Sequence, residues 1–128
     1  MADDKHYKLT IEDREGYLFA RVDAESLDLQ MIVETFNQMF DRFRAGGHRA
    51  ILFVRNGPLL ATPQDRGLVS ALVRNSLPPG AKIAVIDTFS ENNDADRAIA
   101  AEAARRSGLN LQEFATVSEA EKWLLEQP

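Results

Sequence analysis

The chain has 128 residues, 45% of them hydrophobic and 27% charged, with a formal net charge of -5. A single domain of this length removes about 65–70% of its unfolded surface from water, and the acidic balance argues against a broad basic face for nucleic acid or anionic lipid. The absence of cysteine excludes disulfides, thiol catalysis and thiolate metal sites, and it suits a reducing, cytoplasmic setting.

The first residues, Met1 to His6, are polar and acidic, unlike a secretory signal. No apolar run approaches the ~18 residues of a membrane span, so any membrane contact is expected to be peripheral. Tyr7, Leu9 and Ile11 then alternate with Lys8, Thr10 and Glu12, the period of a half-buried strand. Asp13-Arg14-Glu15-Gly16 reads as a turn. Tyr17 to Val22 gives a second strand, so an antiparallel hairpin opens the domain. Ser26 or Asp28 can cap a first helix. Leu29, Ile32, Val33, Phe36, Phe40 and Phe43 recur at helical spacing, Met39 widens their stripe, and Gly46-Gly47 stops the helix near Ala45. Arg42, Arg44, His48 and Arg49 cluster there. Cations favour a helix C-terminus, so a solvated helix end accounts for them.

Ala50 to Val54 is a continuous apolar run, suited to a central strand covered on both faces, and Asn56-Gly57-Pro58 breaks it. A second helix is predicted from Thr62-Pro63-Gln64-Asp65. Thr62 caps it, Pro63 fits its first turn, and Asp65 opposes the positive end of its dipole. Leu68, Val69, Leu72 and Val73 are expected to face inward, and Leu77-Pro78-Pro79-Gly80 ends the helix. Lys82 to Ile86 is another strand, and residues 90–94 are turn-like. A third helix over about 95–107 carries small apolar residues: Ala95, Ala98, Ile99, Ala103 and Ala104. After a short strand near Leu111, Ser118 and Glu121 have the spacing of a capping box. It would open a last helix that lays Ala120, Trp123 and Leu124 on one face. The order predicts one α/β domain, a mixed, mostly parallel five-stranded sheet with four helices, opening with an antiparallel hairpin.

The hairpin start, the strand Arg49 to Val54 with its loop and capped helix, the strand Lys82 to Ile86, and the ending Phe114 to Leu124 together resemble the STAS domain. That is the fold of sporulation anti-sigma-factor antagonists, and the pattern is more narrowly similar to the SpoIIAA-like family, which is related in fold to CRAL-TRIO lipid-exchange domains. The resemblance spans nearly the whole chain. It implies a non-enzymatic regulatory or protein-interaction module with a protein partner, and a homodimer. The alanine-faced helix over 95–107 and the Phe-rich first helix are surfaces that could meet a second copy. Antagonists of this family carry an Asp-Ser-Ser-Gly-like segment at the start of the second helix, where a partner kinase phosphorylates a serine. The matching segment here is Thr62-Pro63-Gln64-Asp65-Arg66-Gly67-Leu68. Gly67-Leu68 fits the pattern, but Asp65 and Arg66 stand where the serines would be, so the usual phosphorylation switch is not expected.

Catalytic chemistry finds no matching constellation. His6 and His48 are the only imidazoles, and no carboxylate spacing joins them into a metal site. Ser70 and Ser76 lie in or at the end of a helix, without a nucleophile elbow. Asn56-Gly57-Pro58 lacks the glycines and lysine of a phosphate loop. Asp87 ends a strand where a receiver domain keeps its acceptor, but the early acidic pair is missing, and it reads as a loop carboxylate. No cofactor is expected. Ligands of open parallel sheets gather beyond the carboxyl ends of the strands. The candidate surface for a partner or ligand is therefore Asn56, Thr62, Gln64, Asp65, Arg66, Asp87 and Ser90. A second reading is a carrier of a small apolar, lipid-like ligand, with Phe36, Met39, Phe40 and Phe43 as a movable wall.

Overall fold

Two apolar runs build the centre of the sheet. Ala50–Asn56 (β3) and Lys82–Asp87 (β4) pair in parallel, Ala50 beside Lys82 and Arg55 beside Asp87. The computed structural model describes residues 7–25, 28–57, 63–78, 80–88 and 110–126, with backbone alone at residues 63, 65, 66 and 70. The other elements are β1 (Tyr7–Arg14), β2 (Tyr17–Ala24), α1 (Leu29–Gly46), α2 (Pro63–Ser76), β5 (Asn110–Glu113) and α3 (Val117–Leu124). The sheet runs β1-β2-β3-β4-β5, with β1 and β2 antiparallel and all other pairs parallel. This is the mixed, mostly parallel five-stranded sheet the sequence predicts. Three helices lie among the described residues, and the helix expected over 95–107 falls outside them.

Side chains alternate across each strand, so the sheet has two inner faces. One face collects Leu18, Ala20, Val22, Ile51, Phe53, Ile83 and Val85 beneath α1 and α2. Met39, Phe40 and Phe43 of α1 are each only 1% exposed there, and the Phe36 ring lies edge-on to Phe53 at 5.2 Å. Asp28 caps α1 by accepting the Met31 amide at 2.9 Å. Gly47 ends it in the left-handed region, and the His48 amide closes on the Phe43 carbonyl.

The opposite face holds Tyr17, Phe19, Leu52, Val54, Ala84 and Ile86, and it is met by α3 through Ala120 and Leu124. Trp123 packs against this cluster half-buried, its ring 5.5 Å from Phe114. Lys82 crosses from β4 to donate to the carbonyl of Trp123 at 3.0 Å. The Tyr17 hydroxyl donates to the Glu121 carboxylate, tying α3 to β2. Leu125 lies so close to the hairpin turn that a Cβ at Gly16 would meet it 2.5 Å away.

Several local expectations are corrected. The first turn is shorter than predicted: β1 continues through Arg14, leaving Glu15-Gly16 as the connection. The cap of α3 is Thr116, not Ser118: the Thr116 hydroxyl accepts the Glu119 amide at 3.2 Å. Thr116-Val117-Ser118-Glu119 has the same capping spacing as the Ser118 box. The earlier start lengthens the helix without moving Ala120 and Leu124 from the sheet. Leu68 does not face inward: it is 60% exposed, while Val73 is buried and Val69 and Leu72 half-buried. The inward stripe of α2 is the row 69, 72 and 73, and Leu68 lies about 100° around the helix from Val69.

Candidate functional site

The carboxyl ends of β2, β3, β4 and β5 carry two polar clusters, one on each face of the sheet. On the face beneath α1 and α2, Arg55 of β3 reaches Asp87 of β4 at 3.1 Å and lies 3.8 Å from Glu113 of β5. The Asp87 side chain is 1% exposed and that of Arg55 16%. The Arg55 carbonyl accepts from both the amide and the hydroxyl of Thr88, at 2.9 and 3.3 Å. Among the described residues, Arg55 Nε is buried without a hydrogen-bond partner. A carboxylate this buried is stable only while its cation stays beside it. Asp87 is thus a paired strand-end group, not the loop carboxylate the sequence suggested.

On the other face, Arg21 grips Asp23 through Nε and Nη2 at 3.0–3.2 Å, and Asn56 donates to the same carboxylate at 3.0 Å. The Arg21 guanidinium, and after it the Asn56 amide, holds the Asp23 carboxyl below the ordinary carboxylate range. Asn56 is therefore part of β3, locked to β2, rather than a loop residue. Beyond it Gly57 is buried against the end of β2, where a Cβ would meet the Ala24 carbonyl oxygen at 2.5 Å. The chain can leave β3 along this path only with glycine there.

The structure brings Asn56 and Asp87 to one sheet edge, on opposite faces. Gln64 is exposed in the first turn of α2, and Asp65 and Arg66 follow it on the helix backbone. Thr62 and Ser90 lie outside the described residues. Sequence reasoning did not single out Arg55, Arg21 or Asp23. A signal for Arg55 existed: the β3 and β4 runs each carry a charge at their sixth position, of opposite sign, so parallel alignment pairs them.

The basic cluster at the other end of the molecule is largely neutralised. Arg42 and His48 both reach Asp13, at 2.7 and 2.8 Å, and Arg44 reaches Asp41 at 2.7 Å. His48, and after it Arg42, holds the Asp13 carboxyl below its ordinary range. A cleft of about 520 Å³ opens here between the C-terminal ends of α1 and α2. Its walls include Phe43, Arg49, Leu77, His48 and Ser76; the His48 Nε2 is engaged by Asp13, and among the described residues no hydrogen bond joins Ser76 to His48 as a nucleophile–base pair would require. The Phe36, Met39, Phe40 and Phe43 row, considered as a movable wall, is packed core in this structure.

No family model and no curated protein matches the sequence. Among solved structures, the chain is similar to the crystal structure of an anti-sigma factor antagonist from Mycobacterium paratuberculosis. The TM-score is 0.64 at 12% identity, and the match covers 98% of this chain and 100% of that one. The STAS-type, SpoIIAA-like fold implied by the sequence resemblance is thus the fold of this chain. No described helix is long and apolar enough to cross a membrane.

Proposed function

We propose that the protein is a non-enzymatic, STAS-like regulatory module that binds a protein partner through the carboxyl end of its sheet and the outer flank of α2, without a phosphorylated serine. The observation that carries this reading is Leu68. It stands 60% exposed beside exposed Gly67, one helical turn beyond exposed Gln64. Residues 64, 67 and 68 share one helix face. Nothing lies within 4 Å of where a Gly67 Cβ would be, so that face is open among the described residues. An apolar side chain flanked by a bare backbone patch and a polar rim is the make-up of a small docking centre. The similar solved structure is named for acting against an anti-sigma factor, which is itself a protein. That likeness in fold supports a protein partner over a substrate.

The polar clusters suit the role. Paired charges at Arg55–Asp87 and Arg21–Asp23 make a fixed rim but supply no nucleophile. At the family's phosphorylation position this chain offers Asp65 and Arg66, so binding is expected to be constitutive or controlled by supply of the partner. The test is affinity capture from cells producing the protein, wild type against Leu68→Arg. A partner retained by wild type and lost in the variant, with an unchanged melting temperature, supports the reading. A partner held equally by both would refute the α2 flank. Efficient phosphorylation by an antagonist-type kinase would refute a constitutive module and restore the family's switch.

A further inference from the structure

The outer edge of β1 is the longest sheet edge among the described residues, 8 residues against the 4 of β5. No described strand pairs with it. Its partner on the inner side fixes which backbone groups point outward. Arg14 and Tyr17 pair across the two-residue turn, and such a turn closes on a hydrogen-bonded pair. Even-numbered residues of β1 therefore bond to β2, and Leu9 and Ile11 present their N–H and C=O groups to the free edge.

Only registers that join odd-numbered residues can hydrogen-bond along this edge. If the added strand is a second copy running antiparallel, the choices differ by two residues. With Ile11 opposite itself, Lys8 faces Arg14 of the copy, and like charges directly opposite destabilise. With Leu9 opposite itself, Glu12 reaches past the start of the copy's strand. With Thr10 opposite itself, Leu9 pairs with Ile11 of the copy. Lys8 then faces Glu12 of the copy, and Glu12 faces its Lys8. Lys8 and Glu12 are exposed, on the face that β1 shares with Arg21 and Phe19. Glu12 also meets Arg14 of its own strand at 2.9 Å, an exposed pair that water screens and that leaves its second oxygen for the copy. The charges lie two residues either side of Thr10, so one strand is complementary to itself in one register.

We propose that this edge is a homodimer interface. Two copies join β1 to β1 about a two-fold axis through Thr10, making one continuous ten-stranded sheet. The β1 strand is already held for the task. Asp13, near the end of β1, is tied to α1 and the segment after it through Arg42 and His48, and Tyr7 at its start bonds Glu34. Edge strands are commonly guarded by charged side chains. Here opposite charges at matched distances from the centre admit a copy of the same strand and select its register. The interface lies away from the α2 flank, so it stands or falls independently of the proposed function.

The experiment is sedimentation across the micromolar to millimolar range. Wild type is expected to pass from 14.3 kDa toward twice that mass. Lys8→Glu and Glu12→Lys, made separately, each place two like-charge pairs in the seam and should weaken self-association roughly tenfold or more. Mixed together, the two variants regain complementary pairs at both positions and should associate with each other. The double variant Lys8→Glu/Glu12→Lys should associate with itself. Thr10→Cys supplies a cysteine to a chain that has none. A non-hydrogen-bonded antiparallel pair sits about 4.5 Å apart between Cα atoms, within disulfide reach, so mild oxidation should link two copies, whereas Lys8→Cys, off the axis, should not. A wild type that remains at 14.3 kDa throughout overturns the proposal. So does a dimer indifferent to the charge reversals, or a mixture that fails to associate.

Discussion

On one side of the sheet an 18-residue helix and a 14-residue helix press phenylalanines, a methionine and aliphatic chains onto β2, β3 and β4. On the other side, among the described residues, a helix of 8 residues does the covering with Ala120, Leu124 and half of Trp123. The first face rests on apolar area. The second buries less and adds polar ties: Tyr17 to Glu121, Lys82 to the Trp123 carbonyl, and Thr116 at the helix start. The contrast shows how one sheet uses two kinds of cohesion, one resting chiefly on bulk, the other sparse and more dependent on a few directed bonds.

Truncating the densest point should show the larger cost. Phe40→Ala, at 1% exposure between α1 and the sheet, is expected to lose about 3–5 kcal/mol in chemical denaturation. Trp123→Ala on the other face should lose less, about 2–3 kcal/mol, because its ring is half-buried. Equal losses would break the comparison. Removal of the α3 cap comes next: Thr116→Ala should cost about 0.5–2 kcal/mol and Ser118→Ala close to nothing, and the reverse order would return the cap to Ser118.

The smallest effect concerns pH. Burial, and after it the bond to Glu121, raises the Tyr17 phenol above its ordinary value. Tyr7 is raised too, by burial and then by Glu34. A folded value above the unfolded one means that the stabilisation is fully present below the unfolded value of about 10, and is lost as pH rises through the folded value. Absorbance titration should find both phenolates forming above about pH 10. Glu121→Gln should move the Tyr17 midpoint part of the way down, since burial remains. A wild-type midpoint at the free-tyrosine value would mean that no such polar tie holds the second face.

The elements whose signal is local were readable from the chain: the alternation at Tyr7 to Glu12, the runs at Ala50 and Lys82, and the α1 stripe ended by glycines. Those that depend on register were not. Arg55 and Asp87 are 32 positions apart and become a pair only when β3 lies beside β4. Asp23 and Asn56 meet for the same reason, 33 positions apart. Two capping boxes offset by two residues are equivalent locally, and packing decides between them. Leu68 misled because an apolar residue next to an inward stripe has the same composition as a member of it.

The bond between Tyr17 and Glu121 joins residues 104 positions apart, and Leu125 rests on the hairpin turn at Gly16. On the ribosome, β2 is made long before the helix that covers it. The α1 side of the sheet can assemble as its helices emerge, while Tyr17 and Phe19 wait uncovered until α3 is released. A stalled or shortened nascent chain would therefore expose this one face, the surface a chaperone would meet first.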